Sequence, residues 1–273
     1  MVYNHYVVSE RRLMSKIFDL KFKGFIPIID YAVEHSKDTS AFEDKFTQLL
    51  HTYPNNYFAI KLSAIDFDLP TAERIVSKAR VANTRILIDA EEVMVQDRVN
   101  AICDELMIKH HTHLFKTYQM YRKDAIAHLT SDIHHYYHEK QIPLNIKLVR
   151  GAYLHNDKHT GALHETKQDT DFAYDYMVDV LLQNEQHVGK VIFATHNKTS
   201  FDKFKDAKAS QFSHASLMGF SAPLGWQGSV PKMVYVPFGP FHRTYPYLIR
   251  RLYENPFVFS SQKKKLTNYF RPN

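Results

Sequence analysis

The first residues that could do chemistry are two adjacent arginines inside an amphipathic segment, since Tyr245 to Asn255 reads YPYLIRRLYEN. At helical spacing Tyr247, Arg250, Arg251 and Glu254 share one face, with Leu248 and Leu252 on the other. A guanidinium is a planar fork of donors suited to bidentate binding of a carboxylate or phosphate. Glu254 stands four residues after Arg250 and three after Arg251, within reach of either. Taken alone, the segment reads as a solvated helix face with an ordinary intrahelical ion pair, the commoner use of such a charge pattern. The elements around it decide between the two uses.

Other polar residues sit at the ends of short apolar runs. Lys61 interrupts FAIKLSA, Asp89 ends ILID, Gln119 follows FKTY, Arg150 ends KLVR, and Thr195, His196 and Asn197 end IFATHN. The runs read as strands over 25–32, 58–64, 85–90, 114–120, 144–150, 191–196, 212–218 and 233–238. Amphipathic patterns such as DLPTAERIVSKARVA, YRKDAIAHLTSDIHHYYHEK and DTDFAYDYMVDVLLQNEQ separate them. Strands alternating with helices at this length predict an α/β protein with a single-domain (β/α)8 TIM-type barrel. The expected layout is a helical extension over 1–23, the barrel over 24–258 and a basic tail over 259–273. A barrel places chemistry at the carboxyl ends of its strands, where these polar residues fall. A charge in a barrel strand is costly unless paired, so Lys61 and Asp89, on neighbouring strands, are expected to form an ion pair. The polar stretch from His155 to Thr170 follows the fifth strand and belongs on the same face, as a lid or ligand contact.

A chain of 273 residues with 44% hydrophobic residues can bury a large core. Its net charge of +6 is concentrated in part at Lys263, Lys264, Lys265 and Arg271. Without an interleaved aromatic motif or helix-turn-helix pattern, no nucleic acid is expected, although the tail suits a peripheral contact with an anionic membrane surface. The single Cys103 excludes an intramolecular disulfide and reads as a small packed side chain. No run approaches the length of a membrane span, and the first residues show no targeting pattern. Neither GxGxxG nor GxxxxGK[ST] occurs, so a bound nucleotide needs another kind of site. The histidine clusters at His110–His113 and His134–His138 have no third ligand at a metal spacing and read as solvated; no metal is expected.

The ordered set KLVRGAY (147–153), ATHN (194–197), YVPFG (235–239) and YLIRRLYEN (247–255) closely resembles the proline dehydrogenase family, and FAIKLSA, LIDAEE and FKTYQMY extend the match. The resemblance implies an FAD-dependent barrel that oxidises L-proline to Δ1-pyrroline-5-carboxylate and passes electrons to a quinone. It implies that Arg250 and Arg251 hold the substrate carboxylate, that Tyr247 packs on the proline ring, and that Tyr153 and Tyr235 form the wall. Lys61 and Asp89 match polar residues lining the substrate site. Gln119, Lys147, Arg150, Gly151, Thr195, His196 and Asn197 fall at flavin-contacting positions, as does Glu254, which supports its helix. Many bacterial relatives carry arginine at the position of Lys147. FSHASLMGF departs from the family's seventh-strand form. Oxidation of hydroxyproline by the same machinery is the nearest alternative, and a noncatalytic barrel binding anions or nucleic acid the more distant one. The resemblance places such a chain in mitochondria if eukaryotic, and otherwise in the cytoplasm or at the inner membrane.

Overall fold

The computed structural model describes residues 3–34, 38–220 and 222–254; the side chains of residues 3, 4, 222, 246 and 250–254 lie outside the described residues. Eight parallel strands close on themselves in sequential order. They are β1 (Ile26–Tyr31), β2 (Tyr57–Ile60), β3 (Arg85–Ile88), β4 (Leu114–Gln119), β5 (Leu144–Val149), β6 (Val188–Ala194), β7 (Phe212–Leu217) and β8 (Lys232–Phe238). Closure is made by β1 against β8, from Ile26 opposite Met233 to Tyr31 opposite Phe238. Helices α1 (Tyr3–Tyr6) and α2 (Glu10–Phe22) precede the barrel, and α3 (Thr39–Thr52), α4 (Leu69–Val81), α5 (Val93–His110) and α6 (Ala125–His134) connect its first five strands. After β5 come α7 (Leu154–Asp157) and α8 (Lys167–Gln183); α9 (Lys198–Phe204), α10 (Ala222–Gly225) and α11 (Phe241–Glu254) follow β6, β7 and β8.

Local chemistry marks the helix starts. Asp38 accepts from the Ala41 amide and Asp68 from the Thr71 amide, each at 2.9 Å, and Thr166 and Asn197 cap α8 and α9 in the same way. Such caps satisfy donors that have no partner inside the helix. Outward-facing strand residues pack on the helices and on one another: Phe193 lies between Phe204 of α9 and Phe212 of β7 at centroid distances of 4.5 and 5.6 Å. Truncating such a ring to alanine costs roughly 3–5 kcal/mol. Inward residues Ile28, Ala59, Leu87, Phe115, Ile192, Ala215 and Met233 fill the lumen.

Three boundaries differ from the sequence reading. The second strand stops at Ile60, because the chain turns at Lys61 into a 3-10 helix over Leu62–Ile65, so Lys61 ends the strand and does not interrupt it. The sixth strand begins three residues earlier, where a register irregularity beside Asn145 accommodates Gly189, whose absent Cβ would fall 2.4 Å from Asn145 Oδ1. The pattern over 121–140 enters α6 only at Ala125 and ends in a single π turn, His135–Glu139. His110 is also buried, where the sequence suggested a solvated side chain: it completes the inward stripe of α5 with Val99, Cys103 and Leu106. Cys103 is packed as expected, and burial pushes its thiol up to about 12.

Helices α2 and α11 shape the mouth. Helix α2 packs against β1 and β8 through Leu13, Ile17 and Leu20, taking the outer position that the helix after the last strand would fill in a regular barrel. That leaves α11 free to cross the carboxyl end, where Leu248 packs with Tyr6 and Val7 of the N-terminal segment. The basic stretch 259–273 lies outside the described residues.

Candidate active site

A cavity of about 790 Å³ opens at the carboxyl ends of the strands, within the range of sites that bury a cofactor-sized ligand. Its deep end is ionic. Asp89, just beyond β3, receives Lys147 Nζ at 2.6 Å on one oxygen and the Tyr235 hydroxyl at 2.5 Å on the other. Lys61 Nζ stands 3.5 Å from Asp89 and 3.8 Å from each of Asp30 and Glu34, so the expected Lys61–Asp89 pair exists inside a larger network. Lys147 also lies 4.8 Å from the centroid of the Tyr235 ring.

Two ammoniums face three carboxylates, an imbalance of one negative charge that favours retaining a proton. Asp30 is the group that takes it up first as pH falls: burial pushes its carboxyl up to about 6, against the pull of Lys61. Burial also opposes charge on Asp89, but Lys147 and Lys61 outweigh it and hold that carboxyl below its ordinary value. Burial works against the Lys61 ammonium, and the carboxylates of Asp30 and Asp89 raise its pKa despite it. The Tyr235 hydroxyl is pushed well up by burial and by Asp30 and Asp89, so it stays a donor.

The other end of the cavity is built around Arg150. Its guanidinium donates to Asp171 at 2.6 Å, Thr195 at 2.8 Å and Ser200 at 2.8 Å, and lies 4.2 Å from the Tyr174 ring centroid. His196 accepts from the Leu217 amide at 3.0 Å through Nε2 and stacks on Phe220 at 4.1 Å, which fixes its ring. Asn197 N-caps α9 and donates its own amide to Thr195 Oγ1 at 3.0 Å. Between the two ends, Gln119 donates to the Glu91 carbonyl at 3.2 Å, while its Oε1 is buried with no hydrogen-bond partner among the described residues. Gly151 has φ +146°, and a Cβ there would meet the Tyr121 ring at 2.5 Å, so both conformation and space demand glycine.

The stretch after β5 borders the cavity, as expected. His164 and Thr170 from it line the wall, and the His164 amide donates to the Tyr121 carbonyl at 2.8 Å. Asp157 ties it down by accepting from the Tyr121 hydroxyl at 2.6 Å and the Val93 amide at 3.0 Å.

The cavity thus gathers Lys61, Asp89, Gln119, Lys147, Arg150, Gly151, Tyr153, Thr195, His196, Asn197, Tyr235 and Tyr247 from six strands and α11. Tyr247 is buried, and helical spacing puts positions 250, 251 and 254 on its side of α11. The side chains of Arg250, Arg251 and Glu254 lie outside the described residues. Sequence reasoning missed Asp30, Glu34, Asp157, Asp171 and Tyr174. Asp30 had a legible signal, since it breaks the apolar run FIPIIDYA much as Asp89 breaks RILIDA.

Comparison with known proteins agrees with this geometry. The family profile described as proline dehydrogenase matches residues 8–264. Human "Proline dehydrogenase 1, mitochondrial" is 29% identical over 66% of this chain and 34% of its own length. Rat "Hydroxyproline dehydrogenase" is 26% identical over 79% of this chain and 51% of its own. This chain therefore spans about a third of the human relative and half of the rat one. Among solved structures, proline utilization A from Bdellovibrio bacteriovorus, inactivated by N-propargylglycine, superposes with a TM-score of 0.78 at 15% identity, covering 93% of this chain and 32% of that one. At that identity the likeness speaks for the fold.

Proposed function

The chain belongs to the proline dehydrogenase family, and from that premise we propose that it oxidises L-proline to Δ1-pyrroline-5-carboxylate with FAD as cofactor and a quinone as electron acceptor. The observation that carries this reading is the Asp89 cluster, set with Tyr235 and Tyr247 in one wall of a cofactor-sized cavity.

The residues present fit a flavin dinucleotide. Gln119 Oε1 is a buried acceptor in the cavity wall awaiting a donor, and an isoalloxazine carries an N–H on its pyrimidine edge. Arg150, Thr195, His196 and Asn197 sit at the opposite end, where the ribose and phosphates would lie, with Gly151 and Lys147 beside the ring. FAD, when bound, supplies the hydride acceptor and returns electrons to the quinone.

The protein's part is placement and charge. Proline carries a carboxylate and a secondary ammonium. Arg250 and Arg251, one turn beyond Tyr247 on α11, fork onto the carboxylate, and Tyr247 limits the ring's movement, which converts binding into orientation. Tyr153 and Tyr235 close the wall. The amine must lose its proton for its lone pair to assist hydride departure. Asp89, kept ionised by Lys147 and Lys61, supplies the negative field that draws the ammonium in, and Tyr235 holds that carboxylate in place. The buried ion network and flanking loop limit water near the reacting carbon.

Kinetics with L-proline and with hydroxyproline on FAD-loaded protein test this reading: turnover of proline is expected to exceed that of hydroxyproline, and failure with both would overturn it. Arg250→Ala or Arg251→Ala should raise KM for proline while FAD stays bound; loss of FAD with unchanged KM would reassign the helix. If the source is eukaryotic, a mitochondrial location follows from relatives such as the human protein. Among the described residues no helix is long and apolar enough to cross a membrane.

A further inference from the structure

The opposite mouth of the barrel carries charge of one sign. Arg85 opens β3, and its guanidinium lies 5.4 Å from the ring centroid of Tyr57, the first residue of β2. Tyr57 packs on the lumen residue Phe115 at 6.0 Å, so Arg85 is aimed into the lumen at its N-terminal end. Lys190 stands two residues before the lumen residue Ile192, and His113 two before Phe115, so strand alternation turns both toward the same mouth. In the closed order β3 and β6 are three strands apart, so Arg85 and Lys190 approach each other only across the lumen. In keeping with that placement, the Lys190 ammonium is pulled down by burial and then by Arg85. His113 is lowered by burial, then by Arg85, Arg80 and His111.

No counter-ion among the described residues answers these charges. Among the described residues none of Arg85, His113 and Lys190 forms an ion pair; His113 contacts the Thr112 hydroxyl, and Arg85 both the ring and the hydroxyl of Tyr57. The Arg85 Nε is buried with no acceptor. Leaving a guanidinium N–H buried and unpaired is costly, and mutual repulsion adds to the cost.

We propose that the N-terminal mouth of the barrel is a phosphate-binding site, in which the Arg85 guanidinium, the Lys190 ammonium and the His113 imidazole close around one phosphate group beside the Tyr57 ring. The fork of Arg85 offers its unsatisfied Nε to one oxygen, and Lys190 acts as a point charge on another. A dianion matches a guanidinium and an ammonium in charge, and its tetrahedral oxygens let donors converge from β3, β4 and β6. The site is separate from the Asp89 cluster: Arg85, Leu87 and Asp89 succeed one another on the inner side of β3, with Leu87 plugging the lumen between them. Four residues of strand put about 13 Å between the two.

The test uses the full chain with FAD in excess, so that any phosphate-binding part of the cofactor site is filled. Inorganic phosphate is titrated against chloride at constant ionic strength, with the melting temperature and the His113 ring proton shifts as readouts. The expected result is a saturable rise in melting temperature together with an upward move of the His113 titration. Lys190→Gln should weaken apparent phosphate affinity about tenfold, and Arg85→Gln should weaken it at least as much. A parallel titration with ADP identifies the source: tighter binding than phosphate, with the same sensitivity to Lys190→Gln, assigns a nucleotide's phosphate, and equal or weaker binding assigns the free ion. No saturable response, or one of equal strength in Lys190→Gln, overturns the proposal.

Discussion

Two buried lysines of this barrel solve the same problem differently. Lys116, on the outer side of β4, meets Asp104 at 2.5 Å and Asp132 at 2.7 Å; the hydroxyls of Tyr136 and Tyr118 donate to the same two carboxylates at 2.7 and 2.6 Å. Lys61, at the end of β2, stands 3.5 to 3.8 Å from its three carboxylates, beside an open cavity. Burial raises the cost of any unpaired charge, so the tight outer network is what a structural ion cluster requires. The looser hold on Lys61 leaves its charge available to a ligand. Distance and an adjoining cavity separate the two uses, where burial alone does not: Lys116 is 1% exposed and Lys61 7%.

Substitutions can break that contrast. The largest effect is expected from Asp89→Ala, which unseats Lys147, Lys61 and Tyr235 together. Steady-state assays should show kcat/KM for proline down roughly 10²-fold or more, and denaturant titration a stability loss of about 3 kcal/mol from the uncompensated ammoniums. Equal losses of activity in Asp89→Ala and Lys116→Met would erase the distinction. Lys116→Met should instead cost about 3 kcal/mol of stability while kcat/KM changes by less than about twofold, because the network it breaks faces α5 and α6.

Asp30 gives the contrast a pH dependence. Its folded-state value of about 6 lies above the ordinary 3.8, so the folded protein holds this proton more tightly than the unfolded chain does. The stabilisation is complete below pH 3.8 and is lost as pH rises through about 6, an effect on the order of 2–3 kcal/mol. Asp30→Asn, uncharged throughout, should lack that loss; urea midpoints measured from pH 4 to 7 compare the two. Parallel profiles for both proteins would mean that Asp30 titrates normally. The smallest effect is expected on the surface: Arg74, half-exposed and bidentate to Glu43, holds that carboxyl down to about 2 with help from Lys78, yet Arg74→Ala should cost less than about 1 kcal/mol.

Much of the architecture was legible because each strand of a barrel buried on both sides writes a short apolar run, and polar residues closing those runs must gather at one end. FSHASLM, weakly patterned, is nonetheless β7, because neighbours on both sides supply what its own pattern lacks. The pairing of Lys61 with Asp89 followed from the cost of an unpaired charge. The partners that set their energies were less legible, since Asp30 and Glu34, Lys147 and Tyr235 come from three separate parts of the chain and only closure brings them together. The buried partners of Arg150 were hidden for the same reason: Asp171, Tyr174 and Ser200 are helix residues whose facing depends on how α8 and α9 lie on the barrel. His110 read as one of four polar residues in a row, and only the inward stripe of α5 shows why it is covered.

The most direct test of the central claim is an anaerobic titration of the FAD-loaded protein with L-proline, followed by a quinone. The flavin absorbance should bleach in proportion to added proline and return when the quinone is supplied. A flavin that stays oxidised in saturating proline would contradict the assignment.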